Sequence, residues 1–216
     1  MWQQIRWLTH KEFVYEWRSR YLWVGLLLYL SATTFLVYLG IPQPEPSLWV
    51  TIYWIVLFFV AVTAVARSFL QESRMRMIYM QSLASPLSLL LAKMIYHGFQ
   101  LVVLAFVAWL LFALVFGSPI VQTALFALII FSGSLTFVLA FSMMSAIAAK
   151  ANQAMLMTLL CLPVILPSML LIWRLSEGVL SPKVGSFPWA DFLMLWALDV
   201  ILLLLALILF PYLWRD

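Results

Sequence analysis

Residues 69–93 read FLQESRMRMIYMQSLASPLSLLLAK, an island of charge and hydroxyl groups between two apolar stretches, Leu48–Leu70 and Met94–Phe116. Each flank can cross a bilayer, because a hydrocarbon slab of ~30 Å takes about 20 helical residues. Working outward, Tyr21–Leu39, Val121–Ala149, Gln153–Trp173 and Phe192–Leu213 meet the same test. None alternates with period two, so helices rather than barrel strands carry these spans. The fold class read from the sequence is all-α, a polytopic membrane protein with six transmembrane helices.

Composition agrees. Of 216 residues, 66% are hydrophobic and 9% charged, too little polar surface to clothe a soluble core. Basic residues orient the chain. With the N-terminus inside, ten of the twelve Lys and Arg fall on the inner face and only Arg174 and Lys183 fall outside. Both termini are therefore expected in the cytoplasm. The net charge of +4 follows from that topology and calls for no nucleic-acid partner, while the basic face suits anionic membrane lipid. Cys161 is the sole cysteine and lies within the fifth span, so no internal disulfide is expected. The first span follows a polar lead and lacks a small-residue cleavage site, which reads as a retained helix rather than a signal peptide. With no repeat, linker or composition shift, residues 1–216 read as one domain.

Residues 1–20 mix Trp, Phe and Tyr with both charge signs. Trp2, Ile5 and Leu8 keep helical spacing, and Phe13 and Trp17 continue it, whereas Glu12 and Glu16 interrupt that face. An interfacial helix on the inner leaflet fits this pattern, as does plain aromatic-belt anchoring. In the fourth span, Ser142 with Ala146 and Ser145 with Ala149 form small-xxx-small pairs that let helices approach closely, inside the bundle or against another subunit. Pro163 and Pro167 share one face of the fifth span, and each removes a backbone donor. Together they predict a bend or a locally unwound stretch, either a static kink or a hinge.

Enzyme signatures are scarce. His10 and His97 stand far apart, and no HExxH, nucleophile elbow, carboxylate cluster or Gly-rich phosphate loop occurs. The chain is expected to have no catalytic site of its own and to bind no cofactor or metal directly. Asp199 in the sixth span, placed about two turns from the outer end, is the clearest intramembrane ionisable group, and it must face the bundle, a polar cavity or a partner. Structural hydrogen bonding, with the carboxyl protonated, is its expected role. Lys93 and His97 stand at i, i+4 and read as a snorkelling interfacial pair. The last outer loop carries Arg174, Glu177, Lys183 and Asp191 beside Trp173, Phe187 and Trp189, a pattern of aromatic anchoring or partner contact. In the opening island, Ser82, Ser85 and Ser88 recur every third residue amid Met77, Ile78, Met80, Leu83 and Leu87. That apolar content favours a docking helix over a solvated loop, with Pro86 ending or bending it before the third span.

Taken together, KEF in the lead, RSFLQES at the end of span two, SPLSLLLAK into span three and LPVILP in span five resemble one family. It is the haem exporter B subunit of the cytochrome c maturation system, an ABC-2-type permease. The family commonly has a glycine shortly after the acidic residue that follows span two; here Arg74, Met75 and Arg76 stand there. The resemblance implies two copies of this chain docked on a dimeric cytoplasmic ABC ATPase, in the bacterial inner membrane. It makes residues 71–92 a coupling segment, with Glu72, Tyr79, Ser82, Leu83, Ser85 and Pro86 at the ATPase-coupling surface. Further implied partners are a haem-handling membrane subunit, a small single-span subunit and an external haem chaperone. ATP and haem would then sit on partner subunits, and the chain would couple ATP hydrolysis to haem delivery or to release of the loaded chaperone. A generic ABC-2 exporter of lipid, glycan or drug shares the architecture. A membrane-embedded enzyme would need a convergent polar cluster, which the sequence offers only around Asp199.

Overall fold

A computed structural model describes residues 2–18, 21–70, 84–150, 154–180 and 187–213. These residues form seven helices: α1 (Trp2–Arg18), α2 (Tyr21–Gly40), α3 (Pro46–Leu70), α4 (Pro86–Phe116), α5 (Thr123–Lys150), α6 (Ala154–Gly178) and α7 (Trp189–Leu213). The last six are long and apolar enough to cross a membrane, and α1 is not among them. The chain is a polytopic α-helical membrane protein with a short N-terminal helix beside the bundle.

Helix α5 is the central post. It packs against α3, α4, α6 and α7, and the hydroxyls that make it look polar, from Ser132 to Ser145, are turned inward. Between helices in lipid there is no hydrophobic drive to associate, so close approach and interhelical hydrogen bonds hold the bundle. Gly133 shows the first device. A Cβ there would stand 2.7 Å from the Trp54 ring, so the indole of α3 lies directly on the α5 backbone. The second device is the polar end of each buried aromatic. Trp54 Nε1 donates to Ser176 Oγ at 2.9 Å, Tyr53 Oη to the Ala105 carbonyl at 3.0 Å, and Trp49 Nε1 to the Gly117 carbonyl at 3.1 Å. Each such bond contributes about 0.5–1.5 kcal/mol net, and losing one partner strands a buried donor at greater cost. The rings themselves interlock: Trp49 stacks on Tyr53 at 5.7 Å, and Phe112 meets both edge-on.

The small residues of the fourth span therefore do pack inside the bundle, as Ser142 and Ser145 show. At the links that follow α4 and α6, the Val121 and Gln122 amides both point at the Val179 carbonyl, at 3.3 and 3.4 Å. Phe187 and Trp189 meet edge-on at 4.8 Å at the start of α7. Helix α2 is peripheral, held against α3 and α4 through Leu26, Leu30 and Thr34.

Two boundaries differ from the sequence reading. The third membrane helix begins at Pro86 rather than Met94, because Ser85 caps it. Ser85 has extended backbone (φ −66°, ψ 144°), its Oγ accepts the Ser88 amide at 3.3 Å, and Pro86 supplies a preset φ with no donor to lose. The proline thus opens α4, to which residues 86–92 belong, while the docking helix expected before it falls on residues outside the described ones. The helix α6 is continuous through Pro163 and Pro167 with no unwound stretch, and both rings lie on its exposed face. Exposed rings need no room in the bundle, and the freed carbonyls interrupt only the outer side of the helix.

Candidate functional site

Helix α4 has 31 residues, about 46 Å of helix, while the hydrocarbon slab is ~30 Å. Its excess is covered at the starting end by α1, which packs along it. The contact is built from the residues that looked like interruptions. Ile5, Glu12 and Glu16 are buried, whereas Trp2 and Trp7 stay exposed, so the helix turns its carboxylates and not these two tryptophans toward the bundle. The reason is on α4, where Lys93, Tyr96, His97 and Gln100 form a polar stripe at helical spacing in otherwise apolar sequence. Tyr96 Oη donates to Glu16 Oε2 at 2.8 Å. Ser88 Oγ reaches Gln4 Oε1 at 3.4 Å, and Ser88 pairs with the cap Ser85 at 2.6 Å. His97 Nδ1 faces Gln100 Oε1 at 3.0 Å.

The KEF triplet acquires a structural role here. Lys11 Nζ lies 3.2 Å from Glu12 Oε1, and Phe13 packs edge-on against Tyr96 at 5.0 Å and on Phe99 at 5.1 Å. The ion pair itself is worth little at a half-exposed lysine. The ring contact seals the seam. Burial pushes the Glu16 carboxyl above its ordinary range; the Tyr96 hydrogen bond opposes that shift, Glu12 adds to it and Lys93 counters it. Lys93 and His97 are 2% and 1% exposed, so neither snorkels. Lys93 acts on Glu16 of α1, and His97 turns to Gln100 of its own helix.

The second polar feature is Asp199. Helix α7 starts at Trp189, which puts Asp199 ten residues, about 15 Å, along it. The carboxyl is 2% exposed, and neither oxygen has a hydrogen-bond partner. Thr136 is its polar neighbour, but that hydroxyl donates to the Ser132 carbonyl at 3.1 Å. A protonated Asp199 would donate to the Thr136 oxygen, which is the structural role expected of it. Asp199 also lines a cavity of roughly 370 Å³ between α4, α5 and α7.

No protein-family model, no curated protein and no solved structure matches the chain. The membrane architecture accordingly stands on the helices themselves, and the family resemblance on its motifs.

Of the residues expected at a coupling surface, Glu72, Tyr79, Ser82 and Leu83 lie outside the described residues, as does Lys183 of the outer loop. Ser85 and Pro86 are the cap and first residue of α4, next to Gln4 of α1. Pro163 and Pro167 do not line the Asp199 cavity, so the structure does not gather the sequence candidates into one site. Tyr96 and Gln100 were not singled out from the sequence, and Glu12 and Glu16 stood there only as interruptions of an apolar face. The signal for them was the stripe Lys93–Tyr96–His97–Gln100 on one face of an apolar helix, with two carboxylates one turn apart in the lead. Among the described residues, no three His, Cys, Asp or Glu side chains converge as metal ligands.

Proposed function

We propose that this chain is the permease-type subunit of an ABC complex in cytochrome c maturation, seated in the bacterial inner membrane with both termini cytoplasmic. In this reading two copies dock on a cytoplasmic ATPase dimer through residues 71–86. ATP hydrolysis on the partner drives haem delivery, or release of the haem-loaded chaperone, by the haem-handling subunits. The observation that carries it is the α1–α4 seam. Ser85 and Ser88, directly after the coupling residues, are tied to Gln4 of α1, and Glu16 is tied to Tyr96 further up α4. A displacement of the coupling segment is thereby delivered to α1 and α4 as a unit, and from α4 to the central α5. The two motif blocks KEF and SPLSLLLAK meet at this seam, which is what a transmission element requires of them.

A generic ABC-2 exporter is the second reading, and the Asp199 cavity favours it, since a carboxyl in an apolar pocket on a spanning helix is a place for a passenger. Gentle affinity purification from native membranes, with subunits identified by mass and haem by absorbance, separates the two. An ATPase together with a haem-containing membrane subunit is the expected result. An ATPase alone assigns the generic exporter, and no ATPase removes the permease reading.

A further inference from the structure

The cavity between α4, α5 and α7 has one ionisable group among the residues that line it, Asp199. Its other walls include Met94, Val102, Leu135, Val138 and Leu203, with Phe99, Phe131 and Trp196 adding aromatic faces. Phe99, Phe131 and Val200 are about half exposed, so the cavity opens sideways on the outer surface of the bundle, toward lipid. We propose that this cleft binds a small lipophilic organic cation, a protonated amine on an apolar body, which enters from the bilayer and pairs with Asp199.

The chemistry of the walls selects that class. A carboxyl group buried beside a single recorded hydroxyl neighbour, Thr136, is unfavourable, and most so when charged. An ammonium N–H adds a hydrogen bond and supplies the counter-charge. Aromatic faces of the cavity add cation–π attraction, which is strongest where water is excluded. Volume excludes a helical peptide segment, because a helix with its side chains is about 10–12 Å across and cannot enter 370 Å³. A phospholipid headgroup ammonium stays at the interface, whereas Asp199 lies about 15 Å along the spanning helix α7. An anionic ligand would meet a carboxylate with no cation beside it in the lining. The site does not depend on the ATPase reading, since its occupancy is a property of this chain.

The test uses the full chain in phosphatidylcholine nanodiscs with tritiated imipramine, a lipophilic amine. Its competitor is iminodibenzyl, which has the same ring system without the amine chain. Saturable binding above empty nanodiscs is expected, with iminodibenzyl failing to displace at matched concentration. Asp199→Asn should weaken binding at least tenfold. Gly98→Leu provides a second arm that leaves the carboxyl in place. Gly98 lines the cavity and a Cβ there meets nothing within 4 Å, so a leucine can branch into the cleft from this position and should also weaken binding at least tenfold. If Asp199→Asn does not fold, the Gly98→Leu and iminodibenzyl arms decide. Absence of saturable binding, equal displacement by iminodibenzyl, unchanged affinity in Asp199→Asn, or unchanged affinity in Gly98→Leu would each overturn the proposal.

Discussion

A methyl group decides how closely α3 and α5 can approach. Gly133→Ala would place a Cβ 2.7 Å from Trp54, whose ring is fixed at its other end by Ser176. Overpacking of this kind costs about 1–3 kcal/mol. Thermal unfolding in detergent should show Gly133→Ala clearly destabilised, and the double variant with Trp54→Leu less destabilised than the two single effects added. Additive effects would mean that ring and glycine do not meet. Glu16 gives a prediction with a sign. Its carboxyl is held above the ordinary value of 4.5 chiefly by burial, so the protonated form favours the docked α1. That contribution is fully present below the ordinary value and is lost as pH rises through the raised one. Amide protection of α1, corrected for intrinsic exchange, should fall over that range. Glu16→Gln, which still accepts from Tyr96, should flatten the profile, and an unchanged slope would mean that Glu16 does not carry it.

At the scale of elements, Ser85→Ala removes the cap of α4 at a cost of about 0.5–2 kcal/mol. Faster hydrogen exchange should appear in the first turns of α4 and spread to α1 through Ser88 and Gln4. Exchange confined to α4 would mean that the seam does not transmit. The six spans were legible because bilayer length and apolarity are local properties of a sequence. Where α4 begins was not, since Ser-Pro reads equally as the end of one helix and the start of the next until the cap geometry is seen. The fate of Lys93 and His97 was less legible still. Their spacing defines a face, but whether that face meets headgroups or another helix depends on α1, far away in sequence. Glu12 and Glu16 were misread for the same reason: a carboxylate interrupts an apolar face only if nothing polar waits opposite. Asp199 was found from sequence because an acid in an apolar span stands out, but the cleft above it comes from three helices at once.

For the molecule as a whole, the charge distribution makes a claim about sidedness that a labelling experiment checks. Cys161 is buried, so single cysteines can be introduced after Cys161→Ser with little background. Gln43→Cys, in the exposed link after α2, should react with an impermeant maleimide on intact spheroplasts. Asn152→Cys should react only once the membrane is opened. The reverse pattern would invert the topology and place the α1–α4 seam on the face that ATP never reaches. The tryptophan resting on Gly133 also limits how the protein can move. Sliding α3 along α5 would carry a rigid ring off the one backbone site without a side chain, and would break its bond to α6. Helices α3, α5 and α6 therefore move as one block or not at all. Tyr53 and Trp49 bond α3 to the Ala105 and Gly117 carbonyls of α4 and its cap, so α4 is fastened to that block as well, and the Asp199 cleft lies where α7 meets it.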